Sequence, residues 1–262
     1  MRHRGEAIGG WRMAAGLEDL WGNQPPGEPD AERGELRRAL VVAAHPDDAD
    51  FGAGGAVALL SRAGWEVRYL VVTDGSKGSD DPSYTPEQLV VTRAEEQRVA
   101  AAHLGVGSVG FLGFTDGELV ASRALLGAIT REIRAFRPYA VYTHDPEPVV
   151  HAEGFINHAD HRATGLATVD AVYPAARDRL NFPEQIAEGL APHVVRELYL
   201  WGSNQANCDV DVSSVVELKI EALLLHGSQF TDDGGFIDVM RDRWRDADGR
   251  SLEQFRRVVM FG

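Results

Sequence analysis

Short apolar runs alternate with segments that carry helix punctuation, and this alternation restricts the fold more than any other feature of the chain. Residues 39–44 (ALVVAA) and 67–73 (VRYLVVT) are apolar nearly throughout rather than at every second position. That pattern predicts strands buried on both faces. Between them, residues 51–63 read as a helix stopped by Gly64. Thr85-Pro86-Glu87-Gln88 combines a capping box with proline at the first helical position, so a helix is expected to about Leu104, ahead of Gly105. A strand over 108–112, a helix capped by Ser122 and ending near Phe136, a strand over 139–143 and a helix over 159–173 continue the pattern. A fifth strand over 194–201, a short sixth over 210–212 and a helix over 214–225 follow. Strand then helix, repeated, predicts an α/β architecture, a Rossmann-like doubly wound and mostly parallel sheet with helices on both faces. In such sheets ligands bind outside the carboxyl ends of the strands, where the strand order reverses.

The length of 262 residues fits one large domain with a small appendage. Residues 1–36 read as an N-terminal extension, partly irregular, with a short helix over 11–21 and a Pro-rich stretch over 23–30; residues 37–262 read as the folded domain. A formal net charge of −14 argues against nucleic acid or an anionic membrane surface as the main partner. Cys208 is the only cysteine, which excludes an intramolecular disulfide and a cysteine metal cage. The apolar runs are too short to span a bilayer, and no secretory signal pattern is present. The expectation is therefore a cytoplasmic protein acting on a small molecule, with homo-oligomer formation left open.

Two loops carry groups suited to catalysis. The first leaves strand one as His45-Pro46-Asp47-Asp48. The second follows strand four: His144-Asp145, then His151, then His158-Ala159-Asp160-His161, so that four of the nine histidines fall within 18 residues. Either loop alone reads equally well as a helix cap or a solvated turn. Together they gain meaning, because strands one and four are the usual neighbours across the switch point. Their carboxyl ends would set His45, Asp47 and Asp48 opposite His158, Asp160 and His161. Imidazole nitrogen and carboxylate oxygen both suit Zn²⁺, and three protein ligands plus water is the catalytic arrangement.

The paired stretches His45-Pro46-Asp47-Asp48 and His158-Ala159-Asp160-His161 resemble the HPDD and HxDH motifs of the PIG-L (LmbE-like) zinc-dependent de-N-acetylases. The resemblance runs from about Leu40 to Gln229. It takes in Arg93 and Glu96, residues 113–117 (GFTDG), Lys219 and residues 226–229 (HGSQ). It implies one Zn²⁺ per chain, other divalent metals being open, held by His45, Asp48 and His161. Asp47 would be the general base, and His158 would stabilise the oxyanion and serve as the acid for the leaving amine. Asp160 would orient His158, and a neighbouring carboxylate should keep that imidazole protonated to higher pH. Arg93 and Asp116 match positions that contact sugar hydroxyls. The sequence departs from the family at Ala49, where many members have Glu, and at Ile156, where one branch carries a tyrosine that helps polarise the substrate. That helper is either absent here or comes from elsewhere, His144 and Tyr142 being the candidates.

The implied activity is removal of an N-acetyl or other N-acyl group from an amino sugar or related small-molecule conjugate. Two alternatives compete: hydrolysis of another bond, such as a phosphoester, and a non-enzymatic sugar- or nucleotide-binding protein on the same fold. The spare carboxylate of Asp47 argues against a passive site. Other features stay open at this stage. Residues 52–55 (GAGG) read as close helix-to-sheet packing rather than a dinucleotide loop. Residues 174–192 read as either a lid or a connector. His226 belongs to a motif, yet reads equally well as a packed helix end.

Overall fold

The computed structural model describes residues 26–230 and 235–260. The helix expected over 11–21 lies outside them. The described elements are, in order, β1 (Arg38–Ala43), α1 (Asp48–Arg62), β2 (Glu66–Thr73), α2 (Pro86–His103), β3 (Ser108–Phe114), α3 (Arg123–Phe136), β4 (Ala140–His144) and α4 (Ala159–Asp170). Then come α5 (Pro183–Ala187), β5 (Glu197–Trp201), β6 (Cys208–Asp211), α6 (Val216–Leu224), α7 (Phe236–Trp244) and β7 (Leu252–Val259). The strands form one seven-stranded sheet in the order β3-β2-β1-β4-β5-β7-β6. The first five are parallel, and β7 runs antiparallel to both β5 and β6. The order reverses between β1 and β4, whose carboxyl ends carry the two histidine-rich loops.

The local rules work as expected in the first half. Thr85 accepts from the Gln88 N–H, and Gln88 returns a bond to the Thr85 N–H at 2.9 Å, closing the capping box on α2. Ser122 caps α3 through the Leu125 N–H. Gly52 lets α1 press on the sheet, since a Cβ there would lie 2.6 Å from the Trp201 ring. The expected helix over 159–173 is shorter: α4 ends at Asp170 and passes into a wider turn over Ala171–Ala175 that contains Pro174, which cannot donate to the helical ladder. Three elements were not legible. None of α5, α7 and β7 was expected, and β7 makes the far edge of the sheet antiparallel.

Two apolar clusters fill the faces of the sheet. One joins β1 and β2 residues such as Val41 and Tyr69 to Ala53, Val57 and Leu60 of α1. The other joins Leu40, Val42 and Val141 to Leu125, Ile129 and Ile133 of α3. Within the first face lies a buried ion pair, Lys219 Nζ to Glu253 Oε1 at 2.6 Å. Glu253 also accepts from the N–H groups of Gly55 and Ala56 in mid-α1, while Lys219 donates to the Phe51 carbonyl one turn earlier. The described end of the extension is tied to the domain as well. The Gly27 N–H donates to Glu197 Oε1 at 2.7 Å, and Arg196 pairs with Glu35 at 2.6 Å.

The segment over 174–192 is a pinned connector. Arg134 on α3 is 2% exposed, and its guanidinium makes six hydrogen bonds into this segment. Five go to the carbonyls of Ala175, Ala176, Asp178, Asn181 and Phe182, and one to the Gln185 side chain. A rigid planar fork of donors adds to the bonds that backbone N–H groups make with Ala176, Asp178 and Phe182, and supplies donors to Ala175 and Asn181. Replacing Arg134 with Met keeps the bulk and removes every donor. The expected result is a loss of about 3 kcal/mol in urea unfolding, from six lost bonds and from the Ala175 and Asn181 carbonyls left unpaired, since Ala176, Asp178 and Phe182 keep backbone donors. Limited proteolysis should then cut first within 174–192. Unchanged stability and cleavage would show that the connector holds itself.

Candidate active site

β1 and β4 end side by side, with Val42 level with Thr143. Each strand then releases its loop upward. After β1 the chain turns sharply at Asp47, whose φ of 101° lies in a region that non-glycine residues rarely enter. The turn is gripped from α2 on two sides. Gln97 Oε1 accepts from the Asp47 N–H at 2.8 Å. Arg93 donates to the Pro46 carbonyl at 2.8 Å and to Asp47 Oδ2 at 3.2 Å. After β4, residues 145–158 form a small hairpin with a bridge between Val150 and Ile156. The buried Asn157 fastens its base through the carbonyls of Pro148 and Asp145. α4 then begins at once, with His158 as its N-cap. Gly165 allows α4 to lie on the end of β4, because a Cβ there would collide with the His144 carbonyl oxygen.

These constraints bring His45, Asp48 and His161 together. Asp48 Oδ2 lies 3.1 Å from His45 Nδ1, and Asp48 Oδ1 lies 3.2 Å from His161 Nε2. One carboxylate therefore faces a nitrogen of each imidazole. The other nitrogen of His45 is turned toward carboxylates, with Asp116 Oδ1 at 3.1 Å and Asp160 Oδ2 at 3.3 Å. Among the described residues, three groups bring one ligand atom from each member within 4.8 Å: His45, His158 and His161; Asp48, His144 and His161; and His45, Asp116 and Asp160. The first group shares His161 with the second and His45 with the third; the expected trio of His45, Asp48 and His161 is spread across them and is not itself one of the three.

The electrostatics ask for a cation. Burial alone would push the His45 pKa down, but bonds to Asp116, Asp160 and Asp48 lift it to about 12. Burial would raise Asp116, yet His45 and the Lys77 N–H bring it down to about 2. Burial would also raise Asp48, but His161 and His144 beside it hold it well below the usual carboxylate range. A field that traps a proton on a buried imidazole equally favours a divalent ion among the same groups. The arrangement at His45 is also the one metal-binding histidines adopt, with one nitrogen bonded to carboxylate and the other facing the donor cluster. The residues present thus fit a metal. Asp47 stands apart, and burial, aided by the Asp48 charge, pushes its pKa up to about 6 against the pull of Arg93.

Several expectations need correction. The Asp160 carboxylate is not on His158: it accepts from the N–H groups of Gly117 and Leu119 and faces His45. Only its backbone N–H meets His158, donating to Nδ1 at 3.2 Å. That bond needs a bare Nδ1, so it favours a neutral ring whose proton is on Nε2. Burial, then the charges of His45 and His161, lower the His158 pKa rather than raise it. Arg93 is 3% exposed, and besides its bonds to Pro46 and Asp47 it donates to the Gly75 carbonyl at 3.0 Å, so it braces the turn rather than facing open space. Asp116 is likewise buried, accepting from the Lys77 N–H at 3.0 Å. His144 is 4% exposed beneath Asp48, stacked on His161 at 4.2 Å, and its Nδ1 accepts from Trp201 Nε1 at 3.1 Å. Tyr142 is buried in the core, stacked on Tyr199 at 4.4 Å. Neither is placed to polarise a substrate. His151 stacks on Phe155 in the hairpin, away from the three groups.

Sequence reasoning missed Gln97 and Asp50, and it left His226 undecided. His226 Nε2 and Gln97 Nε2 both bond Asp50 Oδ2, at 2.8 and 2.7 Å. The spacing of Arg93 and Gln97, four apart and so on one helix face, was the available signal.

The fold is shared with known proteins that this chain resembles. A diacetylchitobiose deacetylase of Thermococcus kodakarensis is 36% identical over 199 residues, covering 76% of this chain and 72% of the relative. A 1D-myo-inositol 2-acetamido-2-deoxy-alpha-D-glucopyranoside deacetylase of Mycobacterium sp. (strain KMS) is 29% identical, covering 74% of each. The solved N,N'-diacetylchitobiose deacetylase of Pyrococcus horikoshii superposes with a TM-score of 0.78 at 29% identity, over 88% of this chain and 87% of that one. Residues 40–172, about half of the chain and inclusive of both histidine-rich loops, match the PIG-L family of GlcNAc-PI de-N-acetylases, and the chain belongs to that family.

Proposed function

We propose that this protein hydrolyses the N-acetyl group of a small amino sugar, using a zinc ion held by His45, Asp48 and His161. One observation carries the reading. The Asp48 carboxylate faces a nitrogen of both imidazoles, while the adjacent Asp47 carboxylate is turned to another partner, Arg93. A site that only binds has no use for that second carboxylate. The relatives named above support the substrate class, since one acts on diacetylchitobiose and another on an acetamido-glucopyranoside of inositol. Among the described residues no helix is long and apolar enough to cross a membrane.

An amide is a poor electrophile and neutral water a poor nucleophile. When bound, the zinc ion supplies Lewis acidity, polarising the carbonyl and making water acidic near neutral pH. Asp47 takes the proton of the attacking water on its carboxylate. A carboxyl raised to about 6 is basic enough to accept that proton and acidic enough to pass it on to the leaving nitrogen. His158, neutral with its proton on Nε2, donates a hydrogen bond to the oxygen that gathers negative charge. Asp160 and Asp116 orient His45 rather than touching substrate.

Protein purified without chelator should carry about one zinc per chain by mass spectrometry, in line with a single three-ligand site. Chelation should abolish acetate release from N,N'-diacetylchitobiose, and added zinc should restore it. Full turnover by metal-free protein would overturn the assignment.

Asp47→Asn should keep the metal and lower kcat by about 10²–10⁴-fold, the usual worth of a general base. Asn is among the residues that tolerate positive φ best, so the turn survives the change. Loss of zinc in this variant would mean that Asp47 is a ligand and that the roles of the two aspartates are reversed.

His158→Ala should lower turnover by about 10²-fold with the metal retained, the scale of one lost oxyanion donor. His158→Gln keeps an N–H donor without a titrating ring and should recover part of that loss. Equal activity in wild type and His158→Ala would remove His158 from the chemistry.

A further inference from the structure

Three fully buried polar side chains lead away from the reaction centre. Gln97, Asp50 and His226 are each 0% exposed, and they come from α2, α1 and the turn after α6. They form one line of bonds. His226 Nε2 lies 2.8 Å from Asp50 Oδ2, Gln97 Nε2 donates to the same oxygen at 2.7 Å, and Gln97 Oε1 accepts from the Asp47 N–H at 2.8 Å. Groups of this kind are costly to bury, and the cost is offset only when each is bonded with good geometry.

The line ends where the backbone is most strained. With φ at 101°, Asp47 cannot relax without moving its N–H. Gln97 fixes that N–H, and the amide of Gln97 is itself fixed in orientation, because its NH₂ must face the Asp50 carboxylate. One helical turn earlier Arg93 holds the Asp47 carboxylate and the Pro46 carbonyl. The same face of α2 therefore clamps both the backbone and the side chain of the proposed base.

We infer that Gln97, locked by Asp50 and His226, is a positioning residue that imposes the strained Asp47 conformation and so sets where its carboxylate meets the attacking water. The inference rests on the reading of Asp47 as base. It goes further in assigning the origin of the base's geometry to a chain of neutral and charged groups that touch neither metal nor substrate.

The test uses zinc-loaded full-length protein, with N,N'-diacetylchitobiose as the substrate. Gln97→Met fills nearly the same volume without the acceptor or donor. It should lower kcat by about 10²-fold, the cost of displacing a catalytic group by about 1 Å. KM and zinc content should be unchanged. Combined with Asp47→Asn it should cause no further loss, because it acts only through Asp47. A crystal structure of Gln97→Met should show Asp47 relaxed to negative φ. If Gln97→Met does not fold, Gln97→Asn, which withdraws the amide by one methylene, takes its place. Multiplicative losses in the double variant, or an unchanged kcat with Asp47 still at positive φ, would overturn the inference. If Asp47→Asn alone leaves turnover intact, the base reading fails. The φ of Asp47 in the Gln97 variant still decides whether Gln97 imposes the turn.

Discussion

Asp47, Asp48, Asp116 and Asp160 converge at the carboxyl end of β1, in a place nearly closed to water. Carboxylates so close together repel one another, and burial deprives them of the solvent that would screen them. The cluster is tolerable only around positive charge. His45 supplies it, pinned between Asp48 on one side and Asp116 with Asp160 on the other. Much of the surrounding architecture serves this arrangement. The loop over 74–78 exists in its present form because Asp116 takes the Lys77 N–H and Asp74 takes the Asp116 N–H. The turn after β3 is shaped by Asp160, which gathers the Gly117 and Leu119 N–H groups. Three loops from three strands are thus organised by the charge they share.

The parts of this site that were legible in the sequence are those fixed by chain connectivity. Capping at Thr85 and Ser122, the apolar strands and the position of the two histidine-rich loops follow from local pattern and the switch-point rule. Which atom faces which is not local. Asp160 and His158 are near neighbours in sequence, yet at a helix start their side chains diverge, so adjacency suggested a pair where the structure has none. His144 was a candidate for the part of the tyrosine that one branch of the family carries in place of Ile156. Its side chain instead lies beneath Asp48 and against Trp201, a residue 57 positions away whose contact no short-range pattern reveals.

The missed elements have a similar cause. β7 reads LEQFRRVV, a run whose four polar residues, Glu253, Gln254, Arg256 and Arg257, make it look like an exposed segment. It is a strand because β5 and β6 both need a partner, and because Glu253 has mid-helix N–H groups of α1 to meet. Gln97 and Asp50 look like solvated helix positions. They are buried because α1 and α2 approach through a region where the Asp47 turn leaves a backbone donor unspent. Polar residues of this class become visible only when the strain they relieve is known.

The position of β7 also bears on how such a chain is made. The last described strand does not finish the sheet at its rim; it lies inside, between β5 and β6. A ribosome delivers residues in order, so β5 emerges and must wait through β6, α6 and α7 before its neighbour exists. During that interval β5 shows an open row of amide and carbonyl groups, bearing Leu198, Leu200 and Trp201, to any other nascent chain. Closure of this part of the sheet therefore waits on the synthesis of β7. The far side of α1, held by Glu253, is completed in the same step.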